Sequence, residues 1–138
     1  MTSLLLMSLL SFLTPKQASV DLVVTIPNIE EYKGEIVIGI FDKSDSFLEE
    51  NAQYRELRFP IQSNMSAFVI EDVRLRNCAL AIYHDLNSDG ECNLNILGIP
   101  KEGYGFSNNV RPRFCAPSYE ACRVNLQQRT NITVNLIY

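Results

Sequence analysis

The chain has 138 residues, 46% of them hydrophobic and 20% charged, a length suited to one domain and a composition that supplies a packed core and excludes wholesale disorder. Twelve Lys+Arg against sixteen Asp+Glu leave a net charge of −4, so no broad basic face exists for a phosphate backbone and nucleic acid is excluded as a partner. One histidine and no tryptophan narrow the chemistry further.

In chain order, the first feature is the apolar run LLLMSLLSFL at residues 4–13, the length of a signal-peptide core and too short to span a bilayer. Lys16-Gln17-Ala18-Ser19 offers small residues for cleavage before Val20. The expectation is a signal peptide over 1–19, an exported (periplasmic or extracellular) chain of residues 20–138, and no transmembrane helix after cleavage. Val20–Pro27 is rich in β-branched residues and predicts a strand. Gly34 ends a polar turn, and Glu35–Asp42 is a short apolar run bounded by turn signals, hence a well-buried strand. Ser44–Asn51 predicts a two-turn helix, with Ser46 and Glu49 at capping-box spacing. Tyr54–Ile61 reads as an edge strand because Pro60 cannot donate to a ladder. Ser66–Glu71, Cys78–Asp85, Cys122–Leu126 and Asn131–Tyr138 complete the set. About seven short strands with one short helix predict an all-β, antiparallel sandwich in a single domain.

Between Leu86 and Tyr119 little strand or helix signal is visible, a stretch much longer than the roughly 12–15 residues above which a structureless loop is uncommon. Either an element is hidden in this stretch or the excursion carries the function, and its glycines and asparagines favour the second. Ile96, Leu97, Ile99, Tyr104, Phe106 and Phe114 are the apolar residues available to pin it to the sandwich.

Asp85-Leu-Asn87-Ser-Asp89-Gly90-Glu91-Cys-Asn93 at its start reads D-x-N-x-D-G-x-x-N. A hard cation needs several oxygens around one point, and alternate residues of a tight turn deliver them: Asp85, Asn87 and Asp89 by side chain, Glu91 by its backbone carbonyl, Asn93 through a bridging water. Ile96 stands where an EF-hand has its bidentate glutamate, so this is not an EF-hand. Either Glu102 or another loop supplies the missing carboxylate, or the affinity for Ca²⁺ is weak, as in extracellular modules. The alternative is an Asx-rich turn that satisfies its own backbone without an ion.

His84 adjoins this loop and is the catalytic candidate, a general base oriented by Asp85; as the sole histidine it cannot build a multi-histidine metal site. Arg111 and Arg113 flank Pro112 and offer guanidinium groups to an anion. Tyr104, Phe106, Asn108, Asn109 and Arg111 together make a candidate surface for an unknown protein or small-molecule ligand.

The four cysteines, Cys78, Cys92, Cys115 and Cys122, lack CxxC spacing, and in an exported chain an even count favours disulfides, with three connectivities open. Cys115 and Cys122 bracket a short loop that a disulfide would stabilise by roughly 2–3 kcal/mol. That leaves Cys78 with Cys92, an awkward pair, since Cys78 begins a strand whose far end lies about 23 Å away at ~3.3 Å per residue.

Tyr83-His84-Asp85-x-Asn87-x-Asp89-Gly90, followed by the run LGIPKEGYGFSNN at 97–109, resembles a family of exported bacterial proteins known as a domain of unknown function. The likeness includes the strand Gly34–Asp42 and Pro117-Ser-Tyr-Glu120 and covers nearly all of residues 20–138. It implies an immunoglobulin-like or transthyretin-like sandwich behind a signal peptide, with no established activity. It does not carry over the cysteines, which read as a local addition. The favoured reading is thus an exported, non-catalytic sandwich with a calcium loop that orders a recognition loop. The alternatives are a small transthyretin-like hydrolase using His84 and a purely structural cell-envelope protein.

Overall fold

A computed structural model describes residues 13–138; of the expected signal peptide, residues 1–12 lie outside it. Strands β1 (Ser19–Thr25), β2 (Glu35–Phe41), β3 (Arg55–Pro60), β4 (Ala67–Arg74) and β5 (Asn77–Asp85) follow one another. They are succeeded by β6 (Tyr104–Phe106), a helical turn α1 (Tyr119–Cys122), β7 (Val124–Asn125) and β8 (Asn131–Thr133). One sheet has the order β4-β1-β8; the other runs β3-β2-β5-β6, with β7 pairing the start of β5.

The alternation of apolar residues decides which face meets the core. Leu22 and Val24 of β1, Phe68 and Ile70 of β4, and Ile132 of β8 face Ile36, Ile38 and Ile40 of β2 and Leu80 and Ile82 of β5 in one apolar cluster. The architecture is an all-β sandwich. β2 also buries Val37 and Phe41 on its outer face, which explains its unbroken apolar run. There the sheet carries a second, small cluster of Ala79, Tyr119 and Cys122, packed by Phe47, Phe106 and Val110.

Three expectations are corrected. The helix at Ser44–Asn51 is a series of turns: Leu48 and Asn51 have φ of 66° and 59°, and Phe47 packs edge-on to Phe41 and Tyr119, at 5.3 and 5.8 Å between ring centroids. Held by aromatic contacts on two sides, this segment gains more from placing Phe47 than from its capping box. Pairing is not wholly antiparallel, because β8 lies parallel to β1. Finally, the long loop contains β6, bound antiparallel to β5 through Ala81–Phe106, Ile82–Gly105 and Tyr83–Tyr104.

After Thr133 the chain leaves the first sheet and reaches the second, where Ile137 bridges to Tyr104. Val134 and Leu136 are buried on the way, so the alternation predicted for Asn131–Tyr138 persists although its ladder ends early.

Candidate functional site

β5 and β6 form a hairpin whose connection, residues 86–103, carries the Asp/Asn loop. Its base is fixed from several sides. The His84 N–H donates to the Gly103 carbonyl (2.7 Å), and the Leu86 N–H donates to Glu102 Oε1 (3.1 Å). Gly34, at φ 71°, lies so close that a Cβ there would sit 2.1 Å from the Asp85 carbonyl oxygen; only glycine fits.

Asp85 is fully buried. Its carboxylate accepts the Asp89 N–H at Oδ1 (3.2 Å) and the Gly90 N–H at Oδ2 (2.8 Å). Asn87 Oδ1 accepts the Asp89 N–H (3.3 Å), and Asn87 Nδ2 donates to Asp89 Oδ2 (3.0 Å). The Glu91 N–H donates to Asp89 Oδ1 (2.9 Å). This hydrogen bond, with the side chains of Asn93 and Asn87, holds the Asp89 carboxyl below its ordinary pKa although burial opposes. Asn87, Asp89 and Glu91 are exposed and Asn93 is half-buried. The loop is therefore an Asx-rich turn in which the Asp89, Gly90 and Glu91 amides are satisfied by side chains of the loop itself, yet each carboxylate retains lone pairs, having about four in all.

Glu102 makes the site unusual. It is 8% exposed, and one oxygen takes the Leu86 amide while Oε2, buried, has no hydrogen-bond partner. Burial pushes its pKa up, reinforced by the charges of Asp85 and Asp89 and opposed by the backbone amides of Leu86 and Asn87. A carboxylate in this position is only partly compensated.

Arg58, projecting from β3, is the basic group that contacts the loop. Its Nη2 donates to the Gly90 carbonyl (3.0 Å), the Tyr83 hydroxyl (3.3 Å) and Glu56 Oε1 (2.8 Å). Its Nη1 lies 3.7 Å from Asp85 Oδ2 and 3.6 Å from Glu35 Oε2. Arg58 and Glu35 were not among the residues singled out from sequence, and Tyr83 was named only as the first residue of the motif that carries the resemblance. The only signal for Arg58 is its outward position on an edge strand, which says nothing of the loop it meets. Among the described residues, no three Asp, Glu, His or Cys side chains are already gathered on one point as a metal centre; the donor set needs Asn87 and backbone carbonyls as well.

The other candidates fall in different places. His84 is fully buried. Its Nε2–H donates to the Lys33 carbonyl (2.9 Å), which fixes the tautomer, and Nδ1 accepts from the Tyr138 hydroxyl (3.0 Å). That hydroxyl in turn accepts the Glu30 N–H (3.2 Å). The imidazole thus ties the 30–34 turn and the C-terminus to β5, a fold role in which both nitrogens are engaged.

Tyr104 and Phe106, half-buried, stand edge-to-face at 6.1 Å on the outer face of the sheet. Asn108 and Asn109, with φ of 60° and 52°, are clips. Asn108 Nδ2 donates to the Ala121 (3.1 Å) and Arg123 (2.9 Å) carbonyls; Asn109 Nδ2 donates to Thr133 O (3.0 Å) while its Oδ1 accepts the Asn135 N–H (2.7 Å). Beside them Ser107, fully buried, accepts the Leu80 N–H (2.9 Å) and donates to the Cys122 carbonyl. The G-F-S-N-N run therefore knits β6 to α1, β5 and the C-terminal segment. Arg111 is exposed. Ile96, Leu97, Ile99 and Phe114, expected to pin the loop, are exposed as well; of that set Tyr104 and Phe106 pack on the sheet.

The disulfide expectation is corrected: all four cysteines are unpaired thiols. Cys78 pairs with Val124 at the start of β5, whereas Cys92 follows the other end of that strand, near enough to Glu102 and Asp85 to feel their charges. Cys122 is buried in the outer cluster while Cys115 is exposed. Burial pushes the Cys78 thiol up to about 12, the neighbouring Asp42 adding to it, and the Cys122 thiol up to about 11.

These features define a β-sandwich protein with a carboxylate-rich hairpin connection. Residues 24–134 match the family described as "Uncharacterized protein conserved in bacteria (DUF2141)", and the chain belongs to it. No curated protein and no solved structure gives a significant match.

Proposed function

We propose that this is an exported, non-catalytic sandwich module whose 85–93 loop binds a divalent cation, with Ca²⁺ the ion its all-oxygen donor set favours. The observation that carries this reading is Glu102 Oε2, buried without a partner beside the carboxylates of Asp85 and Asp89. A cation shared by Asp85, Asn87, Asp89 and Glu102 would neutralise that charge, with carbonyls and water from Glu91 and Asn93 completing a Ca²⁺ shell. Arg58 already offsets part of the charge at Asp85, and the ligands are not fully gathered, so affinity falls on the order of 10⁻⁴–10⁻³ M, as for extracellular modules. Ion binding would then order the hairpin connection for recognition of a partner.

Titration calorimetry with CaCl₂ tests this. The expected result is one saturable site in that range, weakened at least tenfold by Glu102→Gln, with Mg²⁺ binding more weakly because it dehydrates reluctantly. Absence of saturable heat up to 10 mM Ca²⁺, in protein shown to be folded, would leave the loop as an Asx turn in a purely structural protein.

A further inference from the structure

The carboxylates at the base of the hairpin connection share one counter-charge, and it comes from another strand. Arg58 stands on β3, the edge of the second sheet. In register it pairs with Val37, which pairs with Tyr83 of β5, so its side chain lies over the outer face and crosses β2 to reach the loop. The guanidinium is gripped through Nη2, which donates to Glu56 Oε1 (2.8 Å), the Gly90 carbonyl (3.0 Å) and the Tyr83 hydroxyl (3.3 Å). Nη1 lies beyond hydrogen-bond reach of two further carboxylates, 3.6 Å from Glu35 Oε2 and 3.7 Å from Asp85 Oδ2. The link to Asp85 is therefore one of charge alone. It is felt strongly, because the Asp85 side chain is sealed from water and that of Arg58 is only 33% exposed. Among the described residues, Arg58 is the one basic side chain ion-paired to a carboxylate of the loop.

We infer that Arg58 grades the ions accepted by the 85–93 loop according to their charge. The inference rests on the cation reading and deepens it: the donor set fixes which kind of ion enters, and a residue of β3 that is no ligand fixes how tightly a given charge is held. A cation on Asp85 stands near a guanidinium anchored by Glu56 and Gly90, and the repulsion between them grows in proportion to the charge of the ion. Glu35 and Glu56 belong to β2 and β3, so they hold the guanidinium whether or not an ion is bound. The repulsion therefore falls on affinity and not on the fold. Coupling of this kind is reciprocal. An ion on the loop presses Arg58 toward Glu35 and Glu56, and whatever draws Arg58 off Asp85 tightens the ion.

Calorimetric titration of the full chain with Ca²⁺ and with Tb³⁺, an ion of similar size and higher charge, separates charge from shape. Arg58→Gln removes the charge and keeps an amide donor for the Gly90 carbonyl. Arg58→Met, of similar reach and without a donor, is the second charge-free variant, and Arg58→Lys keeps the charge while losing the planar fork. A cooperative melt in EDTA shows each variant folded before titration. The charge-free variants should tighten Ca²⁺ at least about fivefold and Tb³⁺ at least about tenfold, with Arg58→Lys within about twofold of the parent for both ions. Tightening by the same factor for both ions, or binding unchanged or weakened in the charge-free variants, would overturn the inference and leave the cation reading standing. Arg58 would then act only by shaping the loop through Gly90. Failure of the parent and of every variant to bind either ion would overturn both.

Discussion

His84 is held between two acceptor–donor partners, and its worth to the fold can be measured by removing one. Tyr138→Phe leaves Nδ1 buried without its hydroxyl and frees the Glu30 amide. A loss of about 1–3 kcal/mol in urea unfolding is expected, whereas a change below about 0.5 kcal/mol would show the link to be idle. The thiols behave as a graded series. In the native protein a thiol reagent should modify Cys115 at once, Cys92 slowly, and Cys78 and Cys122 only on unfolding, since burial keeps the last two protonated. Unfolded thiols ionise near 8.5. Above about pH 8.5 the unfolded chain therefore releases protons that the folded chain keeps, and stability falls as pH rises toward the folded values of about 11 and about 12. Denaturation midpoints measured between pH 8 and 10.5 should decline; replacing Cys78 by Ala should flatten the decline.

Among the elements, the five long strands were legible because period-two burial and β-branched runs are local properties. Ile36, Ile38 and Ile40 announce the inner face of β2 by spacing alone. β6 was not legible, because Tyr104-Gly105-Phe106 has a glycine at its centre and only three residues in its ladder. That glycine is required by a distant neighbour, since a Cβ at Gly105 would lie 2.8 Å from a Val134 methyl. The capping signal at Ser46 was overridden by Phe47 packing on Tyr119, a residue far along the chain. At the site, the D-x-N-x-D-G run and Glu102 could be named from sequence, but the contact of Arg58 with Gly90 depends on strand order. The base of the loop can be tested through Gly34→Ala. With φ at 71° and the Asp85 carbonyl in the way, this change should cost at least about 1–3 kcal/mol. It should also weaken any ion binding by displacing Asp85. An unaltered melt would mean that β2 and the loop are not coupled there.

On the scale of the whole molecule, the sandwich fixes both ends of the hairpin connection and leaves its middle to the solvent, with carboxylates at the base and aliphatic side chains at the tip. Folding a chain with the buried, partnerless Glu102 oxygen costs stability unless a cation accompanies it. In EDTA, Glu102→Gln should therefore melt higher than the parent, while in Ca²⁺ the order should reverse.

That reversal is best read in one experiment, a thermal melt of both proteins in EDTA and across Ca²⁺ to 10 mM. For a site of 10⁻⁴–10⁻³ M, 10 mM Ca²⁺ adds about 1.4–2.7 kcal/mol, or an increase of roughly 5–10 °C in Tm for a domain of this size. The parent should show that saturable rise and Glu102→Gln little of it. A parent Tm unmoved by Ca²⁺, with Glu102→Gln the more stable protein throughout, would contradict the cation site.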